Sequence, residues 1–151
     1  QIEKLLKLPL PSVIRYCKEL EKQGILQTIR TGNIVFYTAN RADKNFLLEK
    51  KLFNIKNLYD SGLINFLVDK LNNPSIIVFG SYSRGEDVEN SDIDLYIEMP
   101  SKKDIDLKQF EKALKREIQI FEHKNIKEVK NPHLANNIIN GIVLNGFIEV
   151  F

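Results

Sequence analysis

Two apolar runs, Ile76-Ile77-Val78-Phe79 and the alternating Ile93-Asp94-Leu95-Tyr96-Ile97, flank the polar stretch GSYSRGEDVENSD at 80–92. Together they constrain the fold more than any other part of the chain. A continuous apolar run of strand length is the kind buried on both faces. Gly80 and Ser81 follow it at once. Glycine permits a sharp turn and close approach of the backbone to a ligand, and a helix opening there would aim free N–H groups at an anion. Ser81 adds a hydroxyl, and Arg84 lies one turn further on. The stretch lacks the lysine and the spacing of the nucleoside-triphosphate P-loop. In the second run, strand alternation puts Asp92 and Asp94 on one face and Ile93 and Leu95 on the other. Two residues span roughly 6.5 Å, so both side chains can share an ion. Paired carboxylates repel unless a cation compensates. Oxygen pairs of this kind suit Mg²⁺, which keeps waters and binds substrate phosphates. A triphosphate at Gly80–Ser81, with metal at Asp92 and Asp94, is a geometry for phosphoryl or nucleotidyl transfer. The plainer reading has Ser91-Asp92 capping a turn and Asp94 facing solvent. A Gly-Ser turn and paired acids at this interval, between two apolar strands, favour the site.

The residues upstream read as a separate module. Ile2–Leu8 has a short helical pattern. In SVIRYCKELEKQG, at 12–24, Val13, Ile14, Cys17 and Leu20 recur at helical spacing, and Gly24 suits a C-cap. ILQTIR and IVFYTA then flank Thr31-Gly32-Asn33, a hairpin signal. Helix, turn, helix, hairpin is the order of a winged helix-turn-helix. Residues 8–40, LPLPSVIRYCKELEKQGILQTIRTGNIVFYTAN, resemble the winged helices of prokaryotic transcription regulators. That resemblance implies a helix in the major groove of DNA and a hairpin on the backbone. It nominates Ser12, Arg15, Tyr16 and Lys18 for the groove, and Arg30, Thr31 and Asn33 for the wing. Arginine can read guanine, while serine, threonine and lysine more often hold phosphates. Glu19 and Glu21 dilute the positive field of the helix. Winged helices also serve as dimerisation or docking modules, and those that read palindromic sites are often dimers. DNA binding and a homodimer are therefore both expectations. Gln1 already lies in helix-like sequence, so a first helix of this module is expected upstream.

Asp43–Tyr59 is long, mixed in charge and studded with Phe46, Leu47, Leu52, Ile55 and Leu58, as in a helix joining two modules. Asp60-Ser61-Gly62 breaks it, Leu63–Leu71 resumes helical spacing, and Asn72-Asn73-Pro74 ends that element.

GSYSRG followed by SDIDL resembles the signature of the nucleotidyltransferase superfamily that includes DNA polymerase beta. The likeness runs over residues 75–120 and is greatest to the minimal nucleotidyltransferases of bacteria and archaea. It implies that Gly80 and Ser81 hold a triphosphate, that Arg84 assists with phosphate or fixes the loop, and that Asp92 and Asp94 bind two Mg²⁺ ions. It further implies attack of a hydroxyl on an α-phosphate with loss of pyrophosphate. Minimal nucleotidyltransferases acting as antitoxins imply a protein acceptor, such as a partner toxin; a nucleic-acid hydroxyl is the other acceptor class. The expected architecture is α+β. It comprises a winged helix-turn-helix over 1–40, a helical linker over 41–73 packing on the second domain, and a nucleotidyltransferase domain over 74–151. The last would hold a mixed sheet flanked by helices.

Enzymes of this superfamily carry a third carboxylate on a later strand, completing the metal site on the nucleophile's side. Here DIDLKQFEKALKR is helix-like and EIQIFEHK supplies the strand. The third position falls on Gln119, opposite in phase to Ile118 and Ile120. Its amide oxygen can ligate but is uncharged and no base. Glu117 shares its face on an ideal strand, whereas Glu122 does not. Gln119 therefore raises the alternative of a noncatalytic DNA-binding regulator whose nucleotide site senses a ligand or mediates assembly. His123 and His133 lack metal-ligand spacing. In the tail, Leu134, Ile138, Ile139, Ile142 and Val143 predict one helix closed by Asn145-Gly146, with Phe147–Phe151 as a closing strand.

Composition limits the alternatives. Net charge is +2, from 22 basic and 20 acidic residues among 151, which argues against nonspecific coating of nucleic acid. The apolar share of 43% suffices for a core. The single Cys17 excludes an intrachain disulfide or a cysteine metal cluster and makes the reducing cytoplasm the expected location. No apolar run reaches the ~18 residues of a spanning helix, and no signal-peptide pattern is present.

Overall fold

Pro9 and Pro11 set the start of the main helix of the N-terminal unit. Proline is tolerated in a first turn because its missing N–H would have no partner there anyway. In the computed structural model, which describes residues 2–101 and 103–151, α1 (Ile2–Leu6) and α2 (Leu10–Lys22) precede a hairpin of β1 (Leu26–Thr31) and β2 (Ile34–Ala39). α1 stops short of the expected Leu8. Leu8 precedes a proline, which disfavours helical backbone, and Lys7 turns to φ +54°. The strands pair antiparallel from Leu26↔Ala39 to Thr31↔Ile34, with Gly32-Asn33 as a two-residue turn. Val13 and Cys17 are the buried side chains of α2; helical spacing sets Arg15, Lys18 and Lys22 together on another face. The helix expected upstream falls outside the described residues.

The chain divides into two compact units between Lys50 and Lys51, within α3 (Lys44–Asp60). In the second unit, α4 (Leu63–Leu71) buries Leu63, Ile64, Leu67 and Leu71. Each fully buried side chain of this size contributes about 1.5–3 kcal/mol. Asn72 and Asn73 then take φ +60° and +59°, a region asparagine tolerates. A four-stranded sheet follows, built from β3 (Ser75–Phe79), β4 (Ile93–Glu98), β5 (Ile118–His123) and β6 (Ile142–Asn145) in the order β5–β4–β3–β6. β3 is antiparallel to β4 and β6, and β4 is parallel to β5. The parallel pair needs a crossover, which contains α6 (Lys108–Leu114); α5 (Gly80–Arg84) is the turn of helix after β3.

Ile76 to Phe79 are all buried, so β3 is covered on both faces. Ile76 and Val78 join Leu58, Leu67, Ile93, Leu95, Ile97 and Phe110 in one core. Ile77 and Phe79 join Tyr96, Ile126, Val129 and Ile138 in the other, which includes residues of a 3-10 turn at Ile126–Glu128 and of α7 (Pro132–Ile139). The unit is thus α+β, with a mixed sheet flanked by helices.

The tail departs from the sequence reading. α7 ends at Ile139, Ile142 and Val143 lie in β6 rather than on that helix, and 147–151 form no strand. Gly141 accounts for the break. A Cβ there would meet Ile77 Cγ2 and Val78 O at 2.6 Å, so only glycine lets the chain pass this close to β3. The β-branched Ile142 and Val143 then pair with Val78 and Ile77.

Candidate functional site

β3 runs directly into α5. Phe79 is extended and Gly80 switches to φ +72°, where side chains are disfavoured. A Cβ on Gly80 would also overlap Oδ2 of Asp94. Both facts require glycine, and the second shows that the turn is packed against Asp94. Ser83 Oγ donates to the Gly80 carbonyl at 2.9 Å, and the Glu86 amide donates to the Ser81 carbonyl at 3.0 Å, so the turn is held from within. Ser81 is half-buried. Arg84 is exposed and tied to the loop by donation from Nε to Glu86 Oε2 at 2.7 Å.

Ile93, Leu95 and Ile97 are fully buried in one core, which leaves Asp94 on the other face of β4. Asp92 is exposed, one residue before the strand. Burial, and then the neighbouring charge of Asp92, push the Asp94 carboxyl above the ordinary aspartate range. Across the parallel pair, Gln119 is the in-register neighbour of Asp94, and Ile118 and Ile120 pack toward the opposite core. The expected third position therefore lies beside the pair, carrying an amide.

The two neighbouring glutamates stand differently towards the aspartates. Glu117 accepts the Ile93 amide on its carbonyl at 2.9 Å. With Asp92, Glu89, Glu111 and Arg116 it lines an open depression of about 540 Å³. Glu122 pairs with Ile97, on the face away from Asp94. Among the described residues, no group of three or more His, Cys, Asp or Glu is placed to hold a metal ion. Two carboxylates, one raised by burial and by its neighbour, still fit a Mg²⁺ that takes its other ligands from water and phosphate oxygens.

The two histidines lie apart from this cluster. His123 is in register with Glu98, at the other end of β4, and stacks on Tyr96 with centroids 5.9 Å apart. Its Nδ1 is buried without a hydrogen-bond partner among the described residues. His133 is exposed in the first turn of α7. In the N-terminal unit, Arg15, Tyr16 and Lys18 are exposed on α2 and Ser12 is half-buried; Arg30, Thr31 and Asn33 are exposed on the hairpin. The Arg15 guanidinium lies over the Tyr16 ring at 5.0 Å. Lys22 joins Arg15 and Lys18 on one basic stripe, which the i, i+3, i+7 spacing could have revealed. Sequence reading also missed the buried Asp87 and its partners Asn54 and Arg116, which no local motif marks.

A small mixed sheet whose Gly-Ser turn lies against an Asp-x-Asp strand defines a domain of the nucleotidyl-transfer class. The family model described as Nucleotidyltransferase domain matches residues 61–144. The chain belongs to that polymerase-beta-like family, and the match takes in α4 and reaches β6. Comparison with curated proteins gives no match, and comparison with solved structures gives none either.

Proposed function

We propose that the second unit binds a nucleoside triphosphate with Mg²⁺ and transfers the nucleoside monophosphate to a hydroxyl of a protein or nucleic acid. The observation that carries this reading is the packing of Gly80 against Asp94, with Gln119 in register beside it. Backbone N–H groups and the Ser81 hydroxyl at the turn would hold phosphate oxygens, with Arg84 supporting the loop. Asp92 and Asp94 would hold Mg²⁺. When bound, the ion would offset their charge and polarise the phosphoryl oxygens. The acceptor oxygen forms a bond to the α-phosphorus, the bond to the β-phosphate oxygen breaks, and pyrophosphate leaves. Gln119 cannot take the acceptor's proton. With both aspartates holding the ion, that proton would pass to solvent water.

The N-terminal unit is proposed as a winged helix that binds DNA through Ser12, Arg15, Tyr16 and Lys18 on α2 and through Arg30, Thr31 and Asn33 on the hairpin. Its stripe of Arg15, Lys18 and Lys22 supports that reading, and a homodimer would match a palindromic site. A partner toxin is the proposed protein acceptor, and the cytoplasm is the proposed location. No helix among the described residues is long and apolar enough to cross a membrane.

Purified protein, Mg²⁺ and α-labelled nucleotide test the transferase. Label should appear on the protein itself or on a co-purified acceptor, and Asp92→Ala or Asp94→Ala should abolish it. The uncharged Gln119 beside Asp94 favours a second reading, a nucleotide-sensing DNA-binding regulator. Mg²⁺-dependent nucleotide binding without turnover, together with sequence-specific DNA retention, would select it.

A further inference from the structure

We infer that Asp87, clamped by Asn54 and Arg116, is a positioning residue that sets the spacing between the Gly80–Ser81 turn, the aspartate pair and the Gln119 strand. The inference rests on the nucleotide reading above for its consequence, but its geometry stands independently. The Asp87 side chain is fully shielded from solvent. Its oxygens have separate partners: Oδ1 accepts from Asn54 Nδ2 at 2.6 Å, and Oδ2 accepts from Arg116 Nη2 at 3.1 Å. A buried carboxylate persists only when paired in this way.

Each partner reaches a different part of the site. Asn54 is itself buried on α3, and its Nδ2 also donates to the Tyr82 carbonyl at 2.9 Å, one residue after Ser81. Nη1 of Arg116 donates to the Glu89 carbonyl, within the loop that leads to Asp92. Arg116 itself stands just ahead of β5, three residues before Gln119. Between them, the Val88 amide donates to Ser91 Oγ at 2.9 Å and the Ser91 amide to the Val88 carbonyl at 3.0 Å, which closes the last turn before Asp92. One carboxylate thus gathers the phosphate-side turn, the acid loop and the approach to the third strand. An apolar side chain of similar volume would often serve stability as well. What it could not do is hold three segments by directional bonds.

The test uses the full chain and the double variant Asp87→Asn/Arg116→Gln, which removes both charges and strands neither. Leu67→Ala, in the α4 core and away from the clamp, serves as the control. Both are assayed at equal distances below their melting temperatures. In hydrogen exchange, peptides covering 80–91 and 115–120 should exchange about tenfold faster in the double variant than in wild type, while α4 peptides do not. Binding of Mg²⁺-ATP, -GTP, -CTP and -UTP is titrated in parallel. Affinity for whichever nucleotide wild type binds should fall about tenfold or more in the double variant, since small misplacements at a site cost that much. Leu67→Ala should leave it unchanged. Unchanged exchange at 80–91, or equal affinity losses in both variants, would overturn the assignment. Wild type that binds no nucleotide would refute the nucleotide reading instead, and the exchange data would still decide the clamp.

Discussion

Replacing Gln119 by aspartate tests the charge balance of the site. Adjacent paired strands lie ~4.8 Å apart, so the new carboxylate would sit about 5 Å from that of its in-register neighbour Asp94. Two unit charges at that distance repel by about 3 kcal/mol at an effective dielectric of ~20, and by under ~1 kcal/mol in bulk water. Position 119 is exposed, so solvent screening places the cost near ~1 kcal/mol. In chelator, a unit of this size should lose about 4–8 °C in melting temperature. Mg²⁺ should then reverse the sign. With ~10 mM cation and a dissociation constant of ~1 mM in the variant, binding contributes about 1.4 kcal/mol; wild type, holding the divalent ion ~2 kcal/mol more weakly, gains only ~0.2 kcal/mol, and the difference exceeds the repulsion. Thermal unfolding by circular dichroism, in chelator and in Mg²⁺, measures both arms. The expected outcome is a crossover: Gln119→Asp melts below wild type without the cation and at or above it with the cation. If the two proteins melt together in chelator and respond equally to Mg²⁺, the side chain at 119 does not face the aspartates. Nucleotide labelling is then read on the same samples. A gain of about tenfold or more, equivalent to ~1.4 kcal/mol of barrier, identifies the missing charge as the limit on chemistry.

Asp94→Asn should change the pH dependence of stability. The folded state raises this carboxyl, so it keeps its proton longer than the unfolded chain does. Wild-type stability should therefore fall as pH rises from the ordinary ~3.9 through the folded value. Melting curves from acid to neutral pH should show Asp94→Asn gaining on wild type across that window; parallel curves would contradict the assignment. Gly80→Ala should cost about 1–2 kcal/mol from the left-handed backbone alone, plus displacement of the Asp94 carboxylate. Gly62→Ala is the control, because its φ is +78° but nothing among the described residues lies within 4 Å of the added Cβ. Equal losses of stability and of Mg²⁺-nucleotide affinity in both would show that the Gly80–Asp94 contact is irrelevant. For DNA, Arg15→Ala and Lys18→Ala should each reduce the slope of log affinity against log salt by ~0.9. Unchanged slopes in binding assays at several salt concentrations would remove α2 from the interface.

Much of the second unit was legible because its signals are local. Ile76–Phe79 read as a strand covered on both faces, and all four residues are buried. The alternation through Ile93-Asp94-Leu95 pointed to one buried and one polar face, and the phase of Ile118 and Ile120 placed Gln119 on the polar side. Leu63–Leu71 was bounded by its flanking Gly62 and Asn72. The tail misled because Ile142 and Val143 satisfy a helical period as well as a strand. The deciding fact was steric, the passage of Gly141 against β3, and no period encodes that. The Asp87 clamp was invisible for another reason: its partners lie 33 and 29 positions away in sequence. A single aspartate among Glu86, Glu89 and Asp92 looks like loop solvation until the fold encloses it.

Asp94 ties these observations together. Its carboxylate occupies the space that a Cβ at position 80 would need, so the identity of the turn residue and the placement of the acid are one constraint. The same closeness buries the carboxylate, and burial together with Asp92 disfavours its charge. A third carboxylate at position 119 would add about 1 kcal/mol of repulsion to a site without a cation. Glutamine avoids that cost and lowers the attraction for a free divalent ion by about twice as much, because the ion carries two charges. A nucleotide-bound Mg²⁺ has phosphate oxygens among its ligands and needs less from the protein. On the proposed reading, the chain should therefore capture metal and nucleotide together, with Mg²⁺ affinity weak alone and strengthened by triphosphate. The coupling is reciprocal, so nucleotide affinity must rise by the same factor with Mg²⁺. Titrations that found tight Mg²⁺ binding without nucleotide would contradict this account of Gln119.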